Sequence, residues 1–178
     1  MSLPHLILTE LHRYPMTGYD ITKQFKSNTQ FYWTASHQQV YRELEKLRLD
    51  KLVTVNYVPQ TGKPDKKVYK ITNVGIVALM EWIDKPSYHQ KVRDEFCVKL
   101  MAFTAKPTKE YRKHFENLLA EAKIKLNVLN AELNENYKVI AKLEPQKKVI
   151  RLAIRKNILF YESFIVWAEE VRQFLDDF

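Results

Sequence analysis

A chain of 178 residues, 46% of them hydrophobic, has enough apolar side chains for one domain or two small ones. Its formal net charge of +8 favours a polyanionic partner, and its single cysteine, Cys97, excludes an internal disulfide framework and suits a reducing compartment. No apolar run approaches the roughly 18 residues of a membrane span and no basic-then-apolar leader opens the chain, so a cytoplasmic protein without a membrane partner is expected.

Ser2 suits the N-cap of a first helix that accepts Pro4 in its first turn and carries Leu6, Ile7, Leu8 and Leu11. Tyr14-Pro15-Met16 ends it. Thr17-Gly18-Tyr19-Asp20 opens a second helix, with Thr17 as cap, Asp20 as its reciprocal partner, and Ile21 and Phe25 inward. Phe31, Tyr32 and Trp33 lie in the next connection. They clamp the third helix to the core or stack on bases, and clamping is the simpler reading.

The third helix begins at Ser36, where Ser36-x-x-Gln39 forms a capping box. Val40, Leu44 and Leu47 fall at i, i+4 and i+7, one narrow apolar stripe. At 100° per residue, Gln38, Arg42 and Glu45 project roughly opposite, with Gln39 and Tyr41 on the flanks. Gln and Arg can each make paired hydrogen bonds to a purine edge, and Tyr can reach a phosphate. Any surface helix has a polar outer face, so the meaning of this one depends on the residues downstream of it.

After Leu47 the period changes. Residues 52–58, β-branched and aromatic, read as a strand, residues 59–66 as a turn, and the alternating residues 67–72 as a second strand. Such a hairpin is marginal alone and must pack on helices. Thr72 or Asn73 caps a fourth helix, with Val74, Val77, Ala78, Trp82 and Ile83 expected inward. Lys63, Lys66, Lys67 and Lys70 stand in the hairpin against Asp65 alone. An isolated loop of that kind is simply solvated. Directly after a candidate recognition helix it becomes a wing that lays lysines on a phosphate backbone.

Pro86 marks a boundary. Val92, Phe96, Leu100, Met101 and Phe103 form a short amphipathic helix on which Cys97 is expected as an inert core thiol, and Arg93, Asp94 and Glu95 are explained by helix-end charge placement and i,i+4 pairing. Thr108 caps a long helix reaching about Ile140, with a seam of Tyr111, Phe115, Leu118, Ala122, Leu126, Leu129, Leu133, Tyr137 and Ile140. A last helix from about Lys147 carries two rows. Phe160, Phe164, Trp167, Val171, Phe174 and Phe178 form one, and Ile154, Ile158, Tyr161, Ile165 and Ala168 the other. That exceeds the roughly 100° stripe of an ordinary surface helix, so Leu126, Leu129, Leu133, Phe160, Phe164, Trp167 and Val171 are expected at a homodimer interface. The five histidines make no i,i+4 pair and have no Cys or acidic neighbour at ligand spacing, so no metal, cofactor or catalytic residue is expected.

The run Ser36-x-x-Gln39-Val40-Tyr41-Arg42-Glu43-Leu44, with Gly62-Lys63-Pro64-x-x-Lys67-x-Tyr69-x-Ile71-Thr72 after it, resembles PadR-type bacterial transcriptional regulators. Leu3-Pro4-His5, residues 17–23 and Arg93-Asp94-Glu95-Phe96 resemble the AphA-like virulence activators within that family. The resemblance implies a winged-helix dimer on an inverted-repeat operator. It implies that Gln38, Gln39, Tyr41 and Arg42 face DNA and that Lys63, Lys66 and Lys67 form the wing. The family includes activators and repressors, and some members bind planar drugs or phenolic acids between subunits, for which no motif appears here.

The sequence therefore defines a mainly α chain with a small β-hairpin: an N-terminal winged helix-turn-helix over residues 1–86 and a C-terminal antiparallel helical dimerisation domain over 87–178. The expected function is sequence-specific binding of double-stranded DNA at a palindromic operator, as a homodimer regulating transcription. A second transcription factor or a small-molecule effector stays open as a further partner. The alternative is a protein–protein adaptor that keeps the scaffold without DNA readout, and the clustered lysines argue against it.

Overall fold

Two reciprocal capping boxes fix where the helices of the N-terminal unit begin. In the computed structural model, which describes residues 2–26, 31, 33–62, 65–87 and 93–177, Thr17 and Asp20 bond each other across the start of α2 (Gly18–Gln24). Ser36 and Gln39 do the same at α3 (His37–Leu49), where the Ser36 N–H donates to Gln39 Oε1 at 2.8 Å. Both boxes satisfy amide donors that helix starts leave orphaned. α1 (Leu3–Arg13) has Ser2 at its N-cap, but Ser2 makes no side-chain cap bond. Its backbone is already helical at φ −101° and ψ −4°, not in the extended conformation typical of a bonded N-cap.

α3 packs by the expected stripe, with Val40, Leu44 and Leu47 buried. Each such burial is worth roughly 1.5–3 kcal/mol. The helix stops in a Schellman turn: Leu52 N–H donates to Leu47 O and Lys51 N–H to Arg48 O, with Lys51 left-handed at φ 60°. β2 (Val53–Val58) and β3 (Lys66–Ile71) then pair antiparallel with Val53 opposite Ile71 and Val58 opposite Lys66. Lys66 thus lies in a strand rather than in the turn.

The hairpin is not left as two strands. β1 (Met16–Thr17) pairs with β3, Met16 opposite Tyr69, in a sheet of order β1-β3-β2. That third strand ties the wing to the start of α2.

α4 (Asn73–Ile83), capped by Thr72, turns a different face inward from the one expected. Val74, Val77, Trp82 and Ile83 are exposed, Ala78 is half-buried, and Gly75 and Leu79 face the core. The cause is close approach: a Cβ on Gly75 would sit 2.2 Å from the Leu52 carbonyl oxygen. Trp82 stacks on His5 of α1, ring centroids 4.4 Å apart. Phe31 and Trp33 are half-buried, and Tyr32 lies outside the described residues.

The chain divides into the units Met1–His89 and Gln90–Phe178. The second holds α5 (Glu95–Phe103), α6 (Lys109–Asn136) and α7 (Pro145–Asp176), with a 3-10 turn at Ile140–Lys142. Asp94 and Thr108 cap α5 and α6, and Glu95 pairs with Lys99 one turn on. α6 ends four residues short of Ile140, which is exposed, and Pro145 begins α7 rather than preceding it.

α6 and α7 pack side by side over Phe115, Leu119, Ala122, Ile154, Ile158 and Ala168, while Leu118 of the expected seam is exposed. Phe96 of α5 closes the cluster against Tyr111, Phe115 and Trp167, each at 5.5 Å. Arg172 binds Glu116 through two nitrogens at 2.7 and 3.0 Å, pinning the register of the two long helices. Met101 and Cys97 are exposed rather than buried, because α5 turns Phe96, Leu100 and Phe103 inward. Local desolvation and the neighbouring Asp94 carboxylate push the Cys97 thiol above its ordinary value, away from a reactive thiolate. Val92 and Phe178 lie outside the described residues.

Candidate nucleic-acid interface

With its apolar stripe buried, α3 offers solvent the residues of its first two turns. Gln38, Gln39, Tyr41 and Arg42 are all exposed. They are not equivalent. The carbonyl of the Gln39 side chain is taken by the capping box, which leaves its amide N–H₂ for a ligand. Lys46 is paired with Glu43 at 3.4 Å and Arg48 with Glu45 at 2.6 Å. The Arg48 guanidinium bonded to Glu45 holds that carboxyl below the usual range. Arg42, one turn earlier, has no ion-pair partner among the described residues.

The wing presents its cations on two faces. Tyr57 opposes Lys67, Val55 opposes Tyr69 and Val53 opposes Ile71 across the face that covers the core. Lys66 opposes Val58 and Lys70 opposes Thr54 on the outer face. Lys67 Nζ lies 5.6 Å from the Tyr57 ring centroid, a cation–π contact that steadies the ammonium without neutralising it. Burial raises the Tyr69 hydroxyl above its ordinary value, so Tyr69 is a neutral anchor beneath the lysines. Lys63 lies outside the described residues.

Helix and wing meet across a cavity of about 600 Å³. Thr17, Gly18, Tyr19 and Asp20 from the start of α2, Tyr41 from α3, and Gln60, Asp65, Lys66 and Lys67 from the hairpin line it. The structure therefore brings Tyr41, Lys66 and Lys67 to one cavity, while Gln38, Gln39 and Arg42 are not among its lining residues. The residues at the start of α2, expected only to cap and pack the helix, join Tyr41 and the two lysines there. Tyr19 is mostly exposed and stacks on His37 at 6.3 Å, extending the aromatic edge of the site. An aromatic on the solvent side of a capping box was the available signal. Among the described residues no cluster of His, Cys, Asp and Glu is placed to hold a metal.

Known proteins carry this arrangement throughout. Residues 7–81 match the transcriptional regulator PadR-like family and residues 92–176 the virulence activator alpha C-terminal family. The Vibrio cholerae virulence activator AphA is 40% identical, covers 99% of both chains and superposes with a TM-score of 0.86. The chain belongs to the PadR-like family of transcriptional regulators. The Bacillus subtilis PadR, solved in complex with operator DNA, is 27% identical over 98% of this chain and 99% of its own, with a TM-score of 0.82. That same PadR has also been solved with p-coumaric acid, at 26% identity over 99% of both chains and a TM-score of 0.81. A probable transcriptional regulator of Mycobacterium tuberculosis is 41% identical over 86 residues, 48% of this chain and 46% of that protein. These relatives are regulators of transcription rather than enzymes.

The residues expected at a homodimer interface are placed less uniformly in this PadR-like chain. Leu129 and Val171 are buried between α6 and α7 of one chain and offer no surface. Leu126, Leu133, Phe164 and Trp167 are half-buried, and Phe160 is exposed. A different row on α7 faces outward: Leu152, Leu159 and Val166, spaced by seven and 64%, 52% and 66% exposed. Row and hairpin core use the same residue types, so composition alone did not separate them.

Proposed function

We propose that the chain binds a specific double-stranded operator as a homodimer. α3 enters the major groove, and the wing rests Lys63, Lys66 and Lys67 on the phosphate backbone. The observation that carries this reading is the selective pairing on α3. Two of its cations are neutralised by carboxylates one turn away, while Arg42 is left unpaired among the described residues, one turn after Gln38 on the same exposed side. An Arg fork held that way suits the paired acceptors of a guanine edge. The operator complex of the Bacillus subtilis relative supports the same use of the fold.

The dimer rests on the outward row of α7. The first half of that helix is basic, with Lys147, Lys148, Arg151, Arg155 and Lys156, and the second half carries Glu162, Glu169, Glu170 and Asp176. An antiparallel copy related by a two-fold axis at Leu159 sets Leu152 opposite the partner's Val166. It also sets Lys148 opposite the partner's Glu170 and Lys156 opposite the partner's Glu162. A parallel copy would set like charges together. Two-fold symmetry gives two recognition helices and an inverted-repeat target with half-sites about 34 Å apart.

A regulator of this kind acts on the bacterial chromosome in the cytoplasm. A small-molecule effector fits the reading, as the p-coumaric acid complex of the relative supports.

The experiment is selection of bound fragments from random duplex DNA, then a salt titration on the winner. Recovery of an inverted repeat with half-sites one turn apart is expected. Weak, strongly salt-dependent binding without enrichment would remove base readout, and no binding at low salt would turn the reading to the adaptor.

A further inference from the structure

Resting on the DNA-facing reading of α3, we infer that Gly18 is a positioning residue for Tyr41. By carrying no side chain, Gly18 fixes where the Tyr41 ring lies in the cavity between helix and wing, and so where that phenol meets a phosphate backbone.

A glycine at a first helical position needs a reason. Among the described residues the glycine with positive φ is Gly62, so Gly18 is not there for left-handed freedom. Alanine is the better helix former, so α2 itself would not lose from a side chain. What forbids one is space. A Cβ on Gly18 would lie 2.6 Å from Tyr41 Cε1, 2.8 Å from Cζ and 3.1 Å from Cδ1.

The three nearest atoms all belong to one ring at the end of a flexible side chain. The backbone at Gly18, by contrast, is held on both sides. Its carbonyl accepts from the buried Thr22 hydroxyl at 2.8 Å, and the Thr17–Asp20 box closes the turn above it. When the two collide, the ring gives way and the backbone stays. Tyr41 is 44% exposed and lines the cavity with Lys66 and Lys67, so displacing it empties part of that cavity while leaving the core intact. Gly75 is the opposite case, since a Cβ there meets backbone.

The test uses the full chain and the duplex won by selection, with Gly18→Ala, Tyr41→Ala and the double variant. Tyrosines are replaced by 3-fluorotyrosine, and the Tyr41 fluorine resonance is the one lost in Tyr41→Phe. Gly18→Ala is expected to move that resonance, leave the thermal midpoint unchanged or higher, and weaken binding about ten- to hundredfold. That is the worth of one hydrogen bond to a charged group. The double variant should bind no more weakly than Tyr41→Ala alone, because the ring that Gly18 places is already gone.

An unmoved Tyr41 resonance overturns the inference, and so does a fully additive loss in the double variant. A wild-type chain that binds no duplex sinks the operator reading instead, and the fluorine spectrum still decides whether Gly18 places the ring.

Discussion

Arg42→Ala separates a recognition helix from an ordinary polar surface. The side chain is exposed and has no ion pair among the described residues, so its loss should leave folding stability within about 0.5 kcal/mol of wild type. Whatever is lost then appears in binding. A bidentate Arg–guanine contact discriminates by roughly 1–3 kcal/mol. A two-fold dimer uses two, so the specific complex should weaken by about 2–6 kcal/mol if the half-sites act independently. Fluorescence anisotropy at one fixed salt concentration reads this on the selected operator and on a scrambled duplex, where the loss should be small. Arg42→Lys keeps the charge but not the fork, so it should hold its affinity for scrambled DNA and still lose the operator. If both variants bind the operator like wild type, Arg42 does not read a base and the assigned contact face is wrong.

Lys67→Ala should weaken all DNA equally and flatten the plot of log affinity against log salt by about 0.9 per wing, and an unchanged slope would take Lys67 off the phosphates. Gly75→Ala should destabilise the N-terminal unit to urea by about 1–3 kcal/mol, since a Cβ 2.2 Å from the Leu52 carbonyl must push α4 off Thr72 and Leu52. A variant as stable as wild type would mean that α4 can retreat freely. Leu159→Glu puts two carboxylates on the proposed axis and should yield a folded monomer by sedimentation, whereas an intact dimer would place the interface elsewhere. Glu10 is buried in α1, and burial raises its carboxyl above the ordinary value. Its folded form therefore prefers the proton: stability is fully present below the unfolded pKa of about 4.3 and declines as pH rises through the folded value. Glu10→Gln stays neutral, so its thermal midpoint should gain on wild type between acid and neutral pH, and parallel profiles would refute that origin.

The sequence made α3 legible because local signals agreed there. A capping box set its start, an apolar triple set its buried side, and Gln38, Tyr41 and Arg42 had nowhere to go but outward. The hairpin was legible for the same reason, through its alternation and its lysines. β1 was not, because a two-residue strand has no period of its own and exists only where β3 comes to meet it. α4 failed differently. From Val74 to Met80 it is apolar all round, so periodicity marks no outer face, and a glycine decided the matter by letting the helix reach the Leu52 carbonyl. The α6–α7 pair shows the third limit. Its apolar rows serve two partners, the neighbouring helix and, in the proposed dimer, a second chain, and both are made of Leu, Ile, Val and aromatics. What separates them is charge order along α7, basic then acidic, which the hairpin does not use in full: Lys147, Lys148 and Lys156 have no ion pair among the described residues. An asymmetry left unspent within one chain favours an antiparallel copy over a parallel one, and in this reading it ties the symmetry of the DNA target to the sequence of a helix outside the DNA-binding unit.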